Sequence, residues 1–222
     1  MLGARPRLLY DMAMPERRPL KTRSNPVFVS LAAWLTRSGA SPDAISFASM
    51  IFATLAGAAF VGTDFIDGWP GALLWLAAAA GIQLRLACNL LDGMVAVEGG
   101  KKSPTGALWN EIPDRYSDAV ILIGAGYAAG GWEGLGWIAA LLAVLTAYIR
   151  AMGAATGCGE HFEGVMSKPK RMAAMTLASL GALLLPAFPW MILGLAVVSF
   201  GSLVTCLQRL WNIAGQLKSP HV

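Results

Sequence analysis

The sequence predicts an all-α integral membrane protein with six transmembrane helices and an N-terminal interfacial helix. The chain has 222 residues, of which 56% are hydrophobic and only 14% are charged, and its mean hydropathy is +0.57. A soluble domain of this size needs more charge to cover its surface. Several apolar runs are also long enough for helices of about 20 residues, the length that crosses a bilayer.

The individual helices are predicted from caps, apolar runs and helix-breaking residues. Residues 27–38 place their apolar side chains on one face, which is typical of a helix lying on a membrane surface. Ser41 and Pro42 have the residue types preferred at the N-cap and first position of a helix, and they open the first transmembrane segment. The predicted transmembrane helices cover residues 42–62, 71–97, 104–129, 132–155, 171–187 and 189–213.

These elements divide the chain into a basic N-terminal segment with the interfacial helix (1–40), a six-helix catalytic domain (41–214) and a short tail (215–222). None of the 17 Lys and Arg residues lies in the loops that follow the first, third and fifth transmembrane helices. The positive-inside rule therefore places both termini and the 98–103 and 156–170 loops in the cytosol, and we expect the protein in the inner (cell) membrane.

Charge and cysteine usage narrow the classes of partner. The formal net charge of +4 fits contact with anionic lipid headgroups. No basic stretch is interleaved with aromatic residues, so a nucleic-acid surface is not predicted. The three cysteines are scattered without a CxxC pair, and Cys158 with His161 supplies too few ligands for a zinc site.

One polar stretch, residues 88–118, interrupts the apolar sequence. The second transmembrane helix carries a set at spacings that share one helix face: Asn89, Asp92, Gly93 and Ala96. The third helix carries a second set at steps of four: Gly106, Asn110, Asp114 and Asp118. A short hairpin joins the two helices, so we expect antiparallel neighbours whose polar faces oppose each other.

Carboxylates in a membrane need compensation. A single ionised side chain near the bilayer centre costs about 2.5–3.5 kcal/mol on insertion scales. Carboxylate and amide oxygens without nearby His or Cys suit Mg²⁺, Mn²⁺ or Ca²⁺. The alternative is a buried ion-pair network in which Arg85 and Arg115 neutralise Asp92 and Asp114.

The polar stretch resembles the signature of the CDP-alcohol phosphatidyltransferase family, D-x-x-D-G-x-x-A-R, eight residues, then G-x-x-x-D-x-x-x-D. Here it reads N-L-L-D-G-M-V-A-V from residue 89, eight residues to Gly106, then Asn110 and Asp114. Every spacing agrees, but Asn89 and Asn110 replace two aspartates and Val97 replaces the arginine. The S-P-D-A-I-S segment at 41–46 and the Y-I-R-A-M-G-A-A-T-G and K-P-K-R segments are also similar to the family, so the resemblance spans about residues 25–213.

The resemblance implies an enzyme that moves a phosphatidyl group from a CDP-linked lipid, such as CDP-diacylglycerol, to a hydroxyl acceptor and releases CMP, and it suggests a homodimer. It assigns Asp114 as the catalytic base and Asp92 as a metal ligand, with Asn89 and Asn110 at the other ligand positions. Glu111 is not a position of the family signature, but it lies next to Asn110 and is predicted as an additional metal ligand that restores negative charge. The implied CDP-binding residues are Gly93, Ala96 and Gly106. The implied acceptor-phosphate residues are Arg150, Lys168 and Arg171, with Arg85 and Asp118 as auxiliary residues.

The asparagines change the expected metal content. Asn keeps the shape of Asp and one carbonyl oxygen but lacks its charge. The four motif positions therefore supply two negative charges, from Asp92 and Asp114, where four aspartates would supply four. This set suits one Mg²⁺ or Mn²⁺ ion better than two.

Three functions remain open at the level of sequence. The matched spacing favours an active CDP-alcohol phosphatidyltransferase in phospholipid biosynthesis. The three departures from the signature favour a weakened relative that binds a CDP-lipid or nucleotide. A lipid or solute transporter that uses the polar pair as an ion site is disfavoured because the sequence shows no inverted repeat. The acceptor alcohol is undetermined among inositol phosphate, glycerol phosphate, serine and a lipid hydroxyl.

Overall fold

The structure is a computed structural model that describes residues 25–98, 100 and 105–219, with the side chains of residues 98 and 107 excluded. This part of the chain forms seven α-helices: α1 (Pro26–Arg37), α2 (Pro42–Gly62), α3 (Gly68–Glu98), α4 (Gly106–Gly126), α5 (Glu133–Ala155), α6 (Lys168–Leu184) and α7 (Trp190–Lys218). The helix predicted on the membrane surface and the six predicted transmembrane helices each correspond to one of these elements. Most of the N-terminal segment lies outside the described residues.

The helix starts follow local capping chemistry. Ser41 is the N-cap of α2, where its hydroxyl accepts a hydrogen bond of 3.1 Å from the backbone N–H of Ala44, and Pro42 is the first helical residue. Asn25 caps α1 in the same way, with its side-chain oxygen 3.0 Å from the N–H of Val27. These contacts satisfy donors that a helix N-terminus leaves unpaired.

Two predicted boundaries differ from the structure or fall outside it. The predicted N-cap and first residue of the third transmembrane helix, Ser103 and Pro104, lie outside the described residues, and α4 is described from Gly106. At the other end, α7 continues to Lys218. The last helix therefore extends beyond the predicted end at residue 213 and into the segment expected to form the tail.

Four helices in the described part of the chain, α2, α3, α5 and α7, are long and apolar enough to cross a membrane. The polar side chains of α4 and the short length of α6, 17 residues, keep these two helices out of that group. Large apolar side chains such as Leu55, Leu141 and Phe200 are exposed on the outer surface, as expected of helices that contact lipid tails.

Six helices pack in a closed ring, in the order α2, α3, α6, α7, α5, α4 and back to α2, and α1 packs on α3. The core inside this ring is apolar, with Phe60, Ile82, Leu122, Met172 and Leu195 fully buried. We expected α3 and α4 to be packed neighbours, and this is wrong for most of their length. They touch each other little because α2 packs extensively against both.

Glycines allow α4 to lie close to both of its neighbours. A Cβ atom at Gly124 would stand 2.6 Å from the carbonyl oxygen of Gly57 on α2, and one at Gly126 would stand 2.9 Å from the Cα atom of Gly136 on α5. Close backbone approach through small residues is a common way for membrane helices to associate. The contacts fix α4 against α2 and α5, and so they fix the position of its polar face.

Candidate active site

Asp92 is a buried carboxylate with one oxygen left unpaired. The side chain lies on α3 and the residue is 5% exposed. Its Oδ2 atom accepts a hydrogen bond of 2.6 Å from the hydroxyl of Ser46 on α2. Its Oδ1 atom is buried and has no hydrogen-bond partner, and no cation of the described residues forms an ion pair with it. A buried charge without a partner is unfavourable, so this oxygen marks a place where a cation or donor can bind.

Asn89 connects α3 to both neighbouring polar helices. Its carbonyl oxygen accepts a hydrogen bond of 3.0 Å from the hydroxyl of Ser49 on α2. Its amide group donates to the Oδ1 atom of Asp114 on α4. The polar faces predicted from sequence therefore meet at Asn89 and Asp114, although the helices that carry them are otherwise held apart by α2.

Asp114 is surrounded by donors. Lys168, the first residue of α6, donates its ammonium group to Oδ2. The Nη2 atom of Arg85 lies 3.5 Å from Oδ1, and the Nη2 atom of Arg115 lies 3.7 Å from Oδ2. Both carboxylate oxygens of Asp114 thus have partners, in contrast to Asp92.

Asp118, one turn further along α4, is held between two guanidinium groups. Arg85 donates to its Oδ1 atom at 2.6 Å and Arg171 donates to its Oδ2 atom at 2.7 Å. All three residues are buried. The alternative interpretation of the polar stretch was an ion-pair network of Arg85 and Arg115 with Asp92 and Asp114. Both arginines do pair with Asp114, but in the described part of the chain neither pairs with Asp92, and the shortest contact of Arg85 is with Asp118.

Glu111 faces cations in the structure. Its carboxylate lies 2.9 Å from Nη2 of Arg115 and 2.6 Å from Nη2 of Arg150. Arg150 also pairs with Glu160 at 2.9 Å. Asn110 is exposed. Metal ligation by Glu111 and Asn110 stays a prediction, and the structure brings neither side chain into contact with Asp92.

The space above α3 is open at Gly93. A Cβ atom at this position would have no heavy atom within 4 Å. Ala96 on α3 and Gly106 at the start of α4 are half-buried. A bound molecule can approach the α3 backbone here, which is the property that the CDP-binding prediction requires.

The oxygen donors at the centre of the site fit one hard divalent cation. They are the unpaired Oδ1 of Asp92 and the side-chain oxygen of Asn89, and Mg²⁺ and Mn²⁺ prefer such ligands. Within the described residues no three His, Cys, Asp or Glu side chains come together.

Several contributing residues carried no predicted role. Ser46 and Ser49 hold Asp92 and Asn89, and their signal is a pair of hydroxyls one turn apart in an otherwise apolar helix. Arg209 on α7 is buried and donates to the backbone oxygens of Thr146 at 2.6 Å and Glu163 at 3.0 Å. It anchors the loop before α6, and only its charge within an apolar segment indicated it beforehand.

The fold and site together define a class: an all-helical membrane protein in which carboxylates and an amide converge from two helices beside several cations. Comparisons with known proteins make the class specific. A phosphatidylinositol phosphate synthase of Mycolicibacterium smegmatis is 30% identical over 183 residues, which covers 78% of this chain and 77% of that protein. An archaetidylinositol phosphate synthase of Methanothermobacter thermautotrophicus is 29% identical over 180 residues, covering 79% of this chain and 84% of that protein. No family model matches the sequence.

Solved structures share the fold. A crystal structure of Mycobacterium tuberculosis phosphatidylinositol phosphate synthase in complex with manganese and citrate has a TM-score of 0.70 at 21% identity, covering 88% of this chain and 93% of that chain. A structure of the same enzyme with CDP-DAG bound has a TM-score of 0.69 at 22% identity, covering 88% of this chain and 99% of that chain. The chain belongs to the CDP-alcohol phosphatidyltransferase family.

Proposed function

We propose that this protein transfers the phosphatidyl group of CDP-diacylglycerol to the hydroxyl group of an inositol phosphate and releases CMP. The donor is supported by family membership and by the relative crystallised with CDP-DAG. The acceptor is supported by the names of the curated relatives, which are phosphatidylinositol phosphate and archaetidylinositol phosphate synthases. The observation that carries the proposal is the meeting of Asn89 and Asp92 with Asp114 beside Lys168.

The donor diphosphate is proposed to bind between α3 and α4, over the open space at Gly93. The divalent ion, Mg²⁺ or Mn²⁺, would be held by Asp92 and Asn89, and it would neutralise charge on the diphosphate and on the leaving CMP. Ser46 and Ser49 keep the oxygens of Asp92 and Asn89 in place, so the ligand geometry exists before the ion binds. Preorganisation of this kind lowers the cost of binding.

Asp114 is the residue proposed to take the acceptor's proton. The hydroxyl oxygen of the acceptor forms a bond to the lipid-side phosphorus, the bond between that phosphorus and the CMP oxygen breaks, and CMP leaves with the electron pair. The hydroxyl proton passes to the Asp114 carboxylate. A general base must lie within hydrogen-bond reach of the proton that it removes, and Asp114 reaches the site centre from α4 through its contact with Asn89.

Cations near Asp114 suit a phosphorylated acceptor. Lys168 contacts Asp114 directly. Arg150 on α5 pairs with Glu111, which lies on α4 one turn before Asp114. Arg171 was also predicted to bind the acceptor phosphate, but its guanidinium group is buried against Asp118. We therefore propose Lys168 and Arg150 as the primary phosphate-binding groups, with Arg171 acting through the position of α4.

All six ring helices are proposed to cross the membrane. Within the described residues, four of them, α2, α3, α5 and α7, are long and apolar enough to cross it on their own. In the ring, α4 lies between α2 and α5, and α6 lies between α3 and α7. A bilayer that surrounds the four apolar helices therefore also surrounds these two. With α1 at the interface, the positive-inside rule places the site near the cytosolic surface.

A second function, binding of a CDP-lipid without turnover, is favoured by one observation. Both oxygens of the proposed base already accept hydrogen bonds, from Asn89 and Lys168. An acceptor hydroxyl must displace one of these donors before proton transfer. A protein that only binds would show the same contacts and would release no CMP.

Release of CMP from CDP-diacylglycerol tests the proposal. The purified protein is assayed with Mn²⁺ or Mg²⁺ and with inositol phosphate, inositol, glycerol phosphate or serine as acceptor. We expect inositol phosphate to support turnover, and Asp114→Asn to lower it by about 10²–10⁴-fold, the usual contribution of a general base. Asp64→Asn, in the exposed turn after α2, is the matched control and should keep full activity.

Each other result has a distinct meaning. Turnover with a different acceptor would correct the acceptor and keep the reaction. CMP release that survives Asp114→Asn would overturn the role of the base. Absence of CMP release with every acceptor, together with saturable binding of CDP-diacylglycerol, would establish the binding function instead.

A further inference from the structure

The buried charges of the site balance without a metal ion, but they are distributed unevenly. Arg115 lies 3.7 Å from Asp114 but also pairs with Glu111 at 2.9 Å, so the charges of Arg115 and Glu111 cancel. In the described part of the chain, the other six charged groups of the site are three buried aspartates and three cations: Asp92, Asp114 and Asp118, with Arg85, Lys168 and Arg171. The formal sum of these six groups is zero. Because the cations pair with Asp114 and Asp118 and not with Asp92, an additional cation is expected to bind at Asp92.

Asp118 and Asp114 are already compensated. Asp118 is paired with Arg85 and Arg171 at 2.6 and 2.7 Å. Asp114 receives the ammonium group of Lys168 on one oxygen and the amide of Asn89 on the other. Asp92 has neither: within the described chain it has one hydroxyl donor, Ser46, and a buried oxygen with no partner.

Lys168 occupies a position that helix electrostatics disfavour. It is the first residue of α6, where the N-terminal end of the helix dipole is positive and repels a cation. Its side chain is 26% exposed and turns inward to Asp114 rather than out to solvent. Lys170, two residues further on, instead donates to the backbone oxygen of Val165 and is exposed. The contact with Asp114 accounts for the placement of Lys168.

We infer that the Lys168 ammonium group is the resident counter-charge of Asp114 and limits the site to one divalent cation, held by Asp92 and Asn89. A second ion beside Asp114 would lie close to the ammonium group in surroundings of low dielectric constant, where like charges repel strongly. One ion at Asp92 raises the formal sum of the six groups from zero to +2. A CDP-lipid diphosphate carries two negative charges, so donor and site then balance.

This inference rests on the proposed function for the identity of the donor, but the number of ions can be measured without turnover. Full-length purified protein is titrated with Mn²⁺, and free Mn²⁺ is followed by electron paramagnetic resonance. We expect one Mn²⁺ per chain for the natural sequence. Lys168→Met should bind Mn²⁺ at least about tenfold more tightly because a nearby positive charge is removed.

Two variants control for charge and for folding. Lys170→Met removes a lysine of the same helix turn that does not face the site, and it should bind Mn²⁺ as the natural protein does. Lys168→Arg keeps the charge and should also leave the affinity within about twofold. If Lys168→Met does not fold, the ion count of the natural protein and the Lys168→Arg titration still test the inference.

Several results would overturn the inference: two ions per chain in the natural protein, unchanged or weaker binding by folded Lys168→Met, or tighter binding by Lys168→Arg. The CMP-release assay on the same preparation separates this failure from failure of the proposed function. Two ions with CMP release would refute the single-ion site and keep the reaction. One ion without CMP release would keep the single-ion site and refute the reaction.

Discussion

Asp92 and Asp118 are both buried aspartates in a membrane protein, but their surroundings are opposite. Asp118 has a guanidinium group on each oxygen. Asp92 has a serine hydroxyl on one oxygen and, within the described residues, no partner on the other. Asp118 is 1% exposed and Asp92 is 5% exposed. The two residues are therefore similarly buried and differ in how far neighbouring groups neutralise their charge. Asp118 is therefore suited to holding helices together, and Asp92 is suited to binding a cation from solution.

The same difference separates two sides of the helix ring. Arg85 on α3 and Arg171 on α6 meet at Asp118 on α4, so three helices share one ion-pair cluster. Among the described residues, by contrast, the side chain of Asp92 accepts a side-chain hydrogen bond from Ser46 on α2 and forms no ion pair. The cluster of Arg85, Arg171 and Asp118 has a formal charge of +1. It lies beside an under-compensated carboxylate, so a bound cation is expected at Asp92 rather than at Asp118.

The largest expected effect comes from breaking the compensated side. Asp118→Asn leaves two buried guanidinium groups without their carboxylate, and loss of one partner from a buried pair costs about 3–5 kcal/mol. We expect a clear fall in the melting temperature of the detergent-solubilised protein. The control Asp64→Asn, at an exposed position, should melt as the natural protein does. Equal melting of the Asp118 variant would mean that the cluster does not hold the helices.

Removing the charge on the other side should separate stability from function. Asp92→Asn deletes a carboxylate that has no cation among the described residues, so the melting temperature should stay the same or rise. Removing a residue that only holds a metal ligand in place typically lowers metal affinity or activity by about 10–100-fold. Loss of the ligand itself should therefore lower Mn²⁺ affinity and CMP release by at least about 100-fold. A destabilised variant that still binds Mn²⁺ would reverse the roles assigned to Asp92 and Asp118.

A smaller effect is expected from the serine that holds Asp92. Ser46→Ala removes the only hydrogen bond to Oδ2 seen in the described structure, which frees the carboxylate to rotate. We expect Mn²⁺ affinity to fall by about tenfold with little change in melting temperature. Ser202→Ala is a matched control because the Ser202 hydroxyl is buried on α7 without a partner in the described part of the chain. Equal Mn²⁺ affinities in the two variants would contradict a positioning role for Ser46.

Much of this arrangement could be predicted from sequence, and the remainder depends on packing. Helix bounds follow from apolar runs and from local signals such as Ser41 and Pro42, which act within one turn. Periodicity also placed Asn89 and Asp114 on helix faces that contact each other, whereas Asn110 of the same predicted face is exposed. It could not show that α2 separates α3 from α4, because ring order is decided by contacts such as that of Gly57 with Gly124, which lie far apart in sequence.

Partner choice among the charges was the least predictable feature of the site. The sequence provides Arg85, Arg115, Lys168 and Arg171 as cations, but pairing depends on distances of a few tenths of an ångström between helices. The prediction that Arg171 binds an acceptor phosphate is untested, and its contact with Asp118 is visible only after the fold brings α6 to α4. Spacing identifies which residues share a face, whereas it does not identify which charge neutralises which.

The smallest expected effect concerns Glu163, a solvent-exposed carboxylate in the loop before α6, away from the buried residues Asp92 and Asp118. Partial burial raises the pKa of Glu163, but hydrogen bonds with Asn212 and His161 outweigh it, so the net pKa is lowered. A lowered pKa in the folded protein gives stability that is present above the unfolded pKa of about 4.3 and is lost as pH falls through the folded value. Glu163→Gln should therefore lower stability at pH 7 by at most about 1 kcal/mol, and melting curves at pH 7 and pH 3 should show this difference vanish in acid. An equal difference at both pH values would mean that the contacts of Glu163 stabilise the fold through packing rather than through charge.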